Sequence, residues 1–375
     1  MQPPIDPVRA GLTAAQVVGL IRDAAGITVG AGCELLDQSL QVLDDISADF
    51  AGGSVSRAAY SDLHGTCSVG LSRELAWGRA IIRPYMTITD GVITARFNLG
   101  AYFTSTPKRD LADDPVTYAV AGYDILHGLR SPVGESFSVD TGASYLEAVE
   151  DILAAQGYTA YVIDQSRASS VLPAPRNWPI DPNNRWLTIV NDLLAAIGYQ
   201  GIWSDWDGRL RVQPYLSPMQ RTSEWLYNAD VHTAMMDPAR VLERDFFEAP
   251  NRWVAVRSNN IDGAAPVEGN GIYTFVNEFA GDTSVEGRGG RVITRILNLE
   301  AADHATLVAQ AQVTIDADTQ IKTSLAVPTS PNPLHWHFDR MTVDDPDVGP
   351  SVEVLGTQWT LPLNGDNMSH SWTFL

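Results

Sequence analysis

The sequence predicts an α+β fold, with two antiparallel β-barrel or sandwich domains and an α/β domain between them. Three patterns carry this expectation. An apolar helical stripe occurs twice in the middle of the chain, each copy closing on Gly-Tyr. Period-two alternation dominates residues 54–122. The same alternation returns after residue 335. The domains expected are an N-terminal arm with short helices (1–50), a first β domain (51–125), an α/β domain (126–235) and a second β domain (236–375) with one helix near 298–317.

Residues 1–50 open with a Pro-rich leader that lacks the basic and apolar regions of a signal peptide. Residues 12–25 place Val17, Val18, Leu20 and Ile21 on one side and read as a short helix. Residues 35–46 fit a second short helix and a strand alike. Beyond them, Thr66-Cys67-Ser68-Val69-Gly70-Leu71 alternates as a half-buried strand does. Residues 79–89 form a strand in which Pro84 calls for an edge or a bulge. The turn Thr89-Asp90-Gly91 leads into a long strand at 92–106, bent at Gly100, and residues 116–122 alternate again. Residues 123–129 turn helical.

In the middle, residues 145–158 and 186–199 match at an offset of 41 residues. Leu146, Val149, Asp151, Leu153, Ala154, Ala155, Gly157 and Tyr158 recur as Leu187, Val190, Asp192, Leu194, Ala195, Ala196, Gly198 and Tyr199. Any two amphipathic helices share stripes and glycine ends, but the run D-[IL]-L-A-A-x-G-Y is closer than periodicity requires. Two copies are too few for a solenoid, so a paired-helix domain is expected. Asn184 is placed to cap the second helix and Gly198 to end it in the left-handed conformation. A hairpin follows, with strands at 199–203 and 209–215 joined by Asp205-Trp206-Asp207-Gly208. Residues 168–182, with four prolines, link the two helix units.

Toward the C-terminus, strands are expected at 252–257 and 272–277, and a mobile Gly-rich loop at 281–291. The helix at 298–317 carries Leu307, Val308, Ala311 and Ile315 on one side. Residues 335–343, 352–361 and 369–374 read as strands.

A net charge of −20, from 45 acids and 25 bases, argues against a duplex-binding surface, which needs basic patches to replace counterions. It permits an acidic wall past which a polyanion slides. With only Cys33 and Cys67, neither a disulfide framework nor a cysteine zinc cage is expected. No run of eighteen apolar residues exists, so no helical membrane span is expected.

Candidate chemistry is sparse. His335, His337 and Asp339, two apart, would share one face of a strand, and two imidazoles with a carboxylate suit zinc or iron. The plainer reading is a polar strand face with Trp336 and Phe338 turned inward, and the alternation favours it. Asp205 and Asp207 bracket Trp206, a carboxylate pair beside an aromatic that a glycosidase would use. An Asp-Gly turn explains them more simply. Asp344, Asp345 and Asp347, and Asp113 with Asp114, match no calcium loop; Pro115 and Pro346 beside them suit solvated turns. Gly287-Arg288-Gly289-Gly290 holds a Gly-x-Gly fragment without the full dinucleotide pattern. The ten tryptophans mostly alternate with polar residues or lie on apolar stripes, which favours core roles over sugar stacking. No catalytic, cofactor-binding or metal-binding residue is assigned, and no enzyme is expected.

Several stretches resemble the tail-tip or baseplate hub proteins of tailed bacteriophages, among the minor tail proteins of phages infecting actinobacteria. They are Leu75-Ala76-Trp77-Gly78-Arg79 with Arg83-Pro84-Tyr85-Met86, residues 118–126 (YAVAGYDIL), and Asn177-Trp178-Pro179. The unit at 187–215 with its Asp207-Gly208 turn and the closing run 359–368 (WTLPLNGDNM) complete the set. Together they span most of the chain from residue 54 onward. The resemblance implies two tail-tube-like β domains around an inserted α/β part. It also implies a homotrimer whose β domains form a pseudo-six-fold ring continuing the tail tube. The implied role is structural: a virion component, made in the host cytoplasm, that closes or continues the tube and forms part of the DNA exit channel. The partners it implies are the distal tail protein, the tape-measure protein, other tail-tip proteins and passing double-stranded DNA bound without sequence preference. Some hubs carry a C-terminal peptidoglycan hydrolase, for which a chain closing on a strand at Phe374-Leu375 leaves no room. The alternatives are a cell-wall hydrolase built on Asp205 and Asp207, and a receptor- or carbohydrate-binding tail-tip protein using Trp206.

Overall fold

The computed structural model describes residues 10–22, 26–109, 117–228, 240–245, 249–257, 266–279, 281–299, 304–319 and 322–375. Asp113, Asp114 and Pro115 lie outside them. The chain divides into two compact units, one built from Met1–Arg240 with Ala326–Thr373 and the other from Val241–Leu325.

The first unit begins with α1 (Ala14–Arg22), which buries Val17, Leu20 and Ile21. Residues 35–46 prove to be strand rather than a second helix, as the end of β1 (Thr28–Leu36), a turn and β2 (Val42–Asp45). Among the described residues, the short helical content of 1–50 is therefore α1 and brief 3-10 turns. Then come β3 (Phe50–Ala58), β4 (Gly65–Leu71), β5 (Ile81–Thr89), β6 (Thr94–Asn98), β7 (Tyr102–Thr104), β8 (Lys108–Arg109) and β9 (Tyr118–Asp124). In β4, residues Gly65, Cys67, Val69 and Leu71 are buried and those between face outward, the period of a sheet packed on one side. Register is reinforced inside the sheet. Glu34 of β1 stands opposite Arg83 of β5, with Arg83 Nη2 at 2.7 Å and Arg96 Nη2 at 2.5 Å from its carboxylate.

Pro84 is not on an edge. β5 pairs with β1 along one side for its whole length. On the other side its partner changes at Pro84: Ile81 and Ile82 face β7, while Tyr85–Thr89 faces β6. A residue without an N–H thus sits where the ladder is interrupted. The strand expected at 92–106 breaks at the same place, with Gly100 at φ 106° and Leu99 N–H donating to Pro84 O over 3.0 Å.

The middle of the chain carries β10 (Phe137–Val139), α2 (Tyr145–Ala155), β11 (Tyr161–Ile163), β12 (Arg176–Trp178), α3 (Trp186–Ala196), β13 (Trp203–Ser204), β14 (Leu210–Val212) and β15 (Trp225–Asn228). The repeat read from the sequence is structural. α2 and α3 begin and end at matched positions, each followed by a left-handed glycine, Gly157 at φ 81° and Gly198 at φ 73°. The next N–H closes each helix, Tyr158 on Leu153 O and Tyr199 on Leu194 O, both at 2.9 Å. Ser144 caps α2 by accepting from Glu147 N–H at 3.4 Å. Asn184 does not cap α3. Arg185 holds that position, and the Asn184 amide donates instead to Pro179 O at 2.7 Å. The two copies interlock: β10 and β12 pair antiparallel with Phe137 opposite Trp178, and the residue before each helix bridges the segment leading into the other, Arg185 to Pro132 and Ser144 to Val171. Their stripes meet in one core with Leu126, Val149, Leu153, Val190, Leu194 and Leu210 at its centre.

The second unit holds β16 (Val241–Asp245), β17 (Arg252–Arg257), β18 (Val267–Glu268), β19 (Gly271–Val276), β20 (Thr294–Leu299) and α4 (His304–Thr319). Its sheet runs β18-β19-β17-β20, with β17 antiparallel to β19 and parallel to β20. Leu307, Ala311 and Ile315 of α4 pack on Trp253, Ala255 and Leu297. Asp318 receives the Trp253 indole N–H at 2.9 Å and pairs with Arg295 at 2.5 Å. Residues 281–291, expected to be mobile, form a hydrogen-bonded run of turns. Ser284 is 1% exposed; its hydroxyl donates to Gly281 O at 2.7 Å and accepts from Gly287 N–H at 2.9 Å.

The chain returns to the first unit within β21 (Lys322–Thr329) and adds β22 (Arg340–Asp345), β23 (Gly349–Pro362) and β24 (Met368–Phe374). These strands do not make a sheet with β17–β20, as a β domain spanning 236–375 would require. β23 lies antiparallel along β3, with Trp359 opposite Arg57. The resulting sheet includes the run β21-β24-β23-β3-β4-β9-β7-β5-β1-β2. Its described pairings trace an open path with two ends. Antiparallel β structure is thus present as expected, without closure into a barrel.

Candidate functional site

In the first unit, β3, β9, β13 and the segment before β22 converge on a buried polar seam. Arg57 takes an inward position in the alternation of β3, in step with Val55, and is 1% exposed. Its guanidinium lies 3.4 Å from the carboxylate of Asp124, the last residue of β9, and 3.6 Å above the Trp336 ring. Ser204, ending β13, ties the pair together. Its hydroxyl donates to Asp124 at 2.7 Å, and its carbonyl accepts from Arg57 Nη1 at 3.3 Å and from the Trp336 indole at 3.1 Å. Asp124 also caps the 3-10 turn Ile125–Arg130 by accepting from Leu126 N–H. A desolvated pair needs such additional partners to offset its burial.

Beside the seam, His64 and His337 stack with ring centroids 4.6 Å apart, and Trp203 meets His337 edge-on at 5.3 Å. Burial pushes the His64 pKa down to about 4, with Arg57 adding to the effect and Asp124 opposing it. Burial also holds His337 well below the usual imidazole range, helped by His64 and Arg57. Both rings are therefore neutral at neutral pH.

This stack floors a cleft of about 310 Å³, walled by Tyr60, Tyr215, Phe338, Trp203 and Gln200. Tyr60 and Tyr215 are 77% and 59% exposed. Tyr60 packs edge-on against Phe338 at 5.4 Å. Phe338 holds a left-handed φ of 63°, rare for a residue with a bulky side chain. Its N–H donates to Gly356 O at 2.8 Å and its carbonyl accepts from Arg221 Nη1 at 2.6 Å, so the neighbours enforce that conformation. Among the described residues no carboxylate, cysteine or serine lines the cleft. Its lining joins aromatic rings and neutral imidazoles with one guanidinium, that of Arg221.

Of the residues singled out in the sequence, His337 lines the cleft and the others fall elsewhere. His335, His337 and Asp339 are buried in turns before β22 rather than on a strand face, and the two imidazoles serve different neighbours. His335 Nε2 lies 2.5 Å from the Tyr227 hydroxyl and 3.0 Å from Asn332 Nδ2, with Nδ1 3.3 Å from Asp339. His337 stacks on His64. No group of three or more His, Cys, Asp or Glu among the described residues is disposed to hold a metal ion. Asp205 is fully buried; it accepts from Asp207 and Arg209 N–H groups and pairs with Arg211 at 2.6 Å. Asp207 holds Arg209 at 2.9 Å and accepts from Asn98 Nδ2 at 2.8 Å. Both carboxylates belong to the turn. Trp206 is half-buried, edge-on to Trp336 at 6.3 Å, and is no exposed stacking platform. Asp345 and Asp347 share Arg240. Cys33 and Cys67 are buried free thiols, and burial raises the Cys33 pKa to about 12. Among the described residues no helix is long and apolar enough to cross a membrane.

Sequence reasoning missed the His64–His337 stack, because the partners lie on distant segments and the pattern around His337 pointed instead to His335 and Asp339. Arg57 left a signal, a lone arginine at an inward strand position.

The sequence matches no protein-family model and no curated protein. Solved structures do share the fold. A tail protein from Neisseria meningitidis MC58 superposes with a TM-score of 0.62 at 12% identity, covering 92% of this chain and 97% of the other. The 43 kDa tail protein of prophage MuSo2 from Shewanella oneidensis gives 0.62 at 10% identity, covering 92% and 98%. Prophage tail protein gp18 from Listeria monocytogenes EGD-e gives 0.54 at 12% identity, covering 91% and 94%.

Proposed function

We propose that this chain is a structural protein of a phage-type tail, a hub at the tail's distal end. The observation that carries the reading is the end-to-end likeness to phage tail proteins. Matches spanning more than nine-tenths of both chains extend over the whole arrangement rather than one common module. At such low identity the likeness speaks for fold, and function is inferred from three structures of one kind sharing it. The solved neighbours come from Neisseria, Shewanella and Listeria and lend no weight to an actinobacterial host.

In the finer reading, three copies assemble around an axis, and their sheets continue the tail tube and enclose the path of exiting DNA. Two features support it. One end of the described sheet path is β2, an edge strand of the kind that neighbours can continue. A net charge of −20 suits a passage that a polyanion must not adhere to. The partners proposed are the distal tail protein, the tape-measure protein and other tail-tip proteins.

The test is the mass and symmetry of the purified chain at micromolar concentration, by light scattering and negative-stain class averages. A particle of three times 40.7 kDa with a central hole is expected. A monomer at every concentration, remaining so when mixed with a cognate distal tail protein, would remove the trimeric hub.

A further inference from the structure

We infer that Asn364 is a self-modification site, at which the backbone nitrogen of Gly365 displaces the side-chain amide and the turn between β23 and β24 converts to aspartate and isoaspartate. The inference stands on this turn alone and does not depend on the tail reading.

Asparagine is a thermolabile side chain, and four observations single out the run Leu363-Asn364-Gly365-Asp366. First, Asn364 and Asp366 are exposed and the run stands outside both strands, so water and hydroxide reach it. Second, the nucleophile belongs to a glycine, with a left-handed φ of 87°, so no side chain crowds the ring that must form. Third, Asp366 N–H donates to Asn364 Oδ1 at 3.1 Å. That bond closes a loop of atoms containing both Asn364 Cγ and Gly365 N, which folds the amide back over the peptide that follows it. It also points a backbone donor at the oxygen on which charge develops when Cγ is attacked. Fourth, Asn364 Nδ2 donates to the Asp366 carboxylate at 2.6 Å, which sets an anion beside the nitrogen that must leave.

The step needs only water. Gly365 N gives its proton to hydroxide and attacks Asn364 Cγ. The new N–Cγ bond closes a succinimide ring, the Cγ–Nδ2 bond breaks, and Nδ2 takes a proton from water and departs as ammonia. The nitrogen becomes cationic as it takes that proton, and the Asp366 carboxylate stabilises it. Water then opens the ring. Attack at Cγ gives aspartate; attack at the backbone carbonyl carbon gives isoaspartate, with the chain routed through the side chain. Aspartate puts a second carboxylate where the amide faced Asp366, turning a hydrogen bond into a repulsion, and isoaspartate adds a methylene to the backbone. The turn is anchored by Leu363 N–H, which donates to Gly53 O at 2.8 Å, and a Cβ at Gly365 would meet Val29 at 3.3 Å. Conversion therefore loosens the corner at which the last two strands meet the first ones. Asn270 also precedes a glycine, but its N–H and carbonyl both bond Val267 at 2.9 Å, and Gly271 is the buried first residue of β19. That peptide is fixed in the sheet and reacts later.

The experiment holds the full chain, beside a synthetic peptide of residues 361–368, at pH 7 and at pH 9. Each asparagine is followed by peptide mapping with electron-transfer fragmentation, which tells aspartate from isoaspartate. Asn364 should convert before every other asparagine, Asn270 included, and faster at pH 9, with ammonia released in equal amount. Its rate in the folded chain should match or exceed that in the peptide, which has the sequence without the turn. Asp366→Ala removes the carboxylate and keeps the backbone N–H, and should slow conversion several-fold. Asn364→Gln, whose longer side chain closes a less favourable ring, should abolish it on the same timescale. Circular dichroism melts taken before incubation separate a misfolded variant from a slow one, and the comparison of wild type with peptide needs no variant. Conversion at Asn364 more than about tenfold slower than in the peptide overturns the inference, since the turn then protects the amide. So does earlier conversion at Asn270, or a rate that Asp366→Ala leaves unchanged.

Discussion

Arg57 and Asp124 are a charged pair with almost no contact with water, and their surroundings decide what removing one does. In Asp124→Ala the guanidinium would stay buried over Trp336 with only neutral partners, Ser204 and Tyr102, beside it among the described residues. The expected loss is about 3–5 kcal/mol, read as a lower urea midpoint. Arg57→Met with Asp124→Leu should cost less than the sum of the two single changes, since no lone charge remains. An additive cycle would mean that the two do not act as a pair.

The histidine stack has a pH signature whose direction follows from burial. The His64 pKa lies near 4 in the folded chain, below the ordinary imidazole value of about 6.5. The unfolded chain therefore takes up a proton first. The contribution of this residue is intact above pH ~6.5 and is lost as pH falls toward 4, by about 3 kcal/mol across that window. Denaturation midpoints measured between pH 7 and pH 4 should fall steeply for the wild type and less steeply for His64→Gln. Equal slopes would show that other groups govern the acid response. His337, buried against the same ring, shifts in the same direction and steepens the fall.

At the scale of elements, what was legible in the sequence was whatever local chemistry decides. The helices at 145–158 and 186–199 were visible because stripe, glycine and tyrosine all recur, and α2 and α3 follow them closely. The break at Gly100, the interruption at Pro84 and the Asp207-Gly208 turn were visible because those residues restrict the backbone in known ways. His335–Asp339 misled, because polar and aromatic residues alternate through a pair of buried turns just as they would along a strand. Asn184 misled because its amide found a nearer carbonyl than the helix end. The candidate cleft was hardly legible at all: its walls come from four segments, and only folding makes them neighbours.

Two glycines separate backbone need from steric need. Gly198 has φ 73° and open space where a Cβ would lie, so Gly198→Ala should cost only the left-handed strain, about 1 kcal/mol. Gly208 has φ 89° and would place a Cβ 2.3 Å from that of Ala101, so Gly208→Ala must also displace the hairpin from β7's approach. Its melting temperature should drop by clearly more than that of Gly198→Ala. Equal drops would show that the hairpin yields freely.

For the molecule as a whole, the strand order was the least legible feature. β3 and β23 are both good strands by pattern, but nothing in either announces the other as its partner. The same pairing accounts for the division of the chain, since Val241–Leu325 is inserted between two stretches that share one sheet. A reading that keeps neighbours in sequence together would give 236–375 a domain of its own, and the pairing of Trp359 with Arg57 shows why it does not.

That pairing also sets a clock. Roughly 290 residues separate the end of β3 from the start of β23, and at ~5–20 residues per second a ribosome needs on the order of tens of seconds to make them. Until then the nascent chain holds one flank of β3 open, with Arg57 already turned toward a space that Trp336 has yet to fill. Synthesis must reach the last strands before the first ones can finish folding.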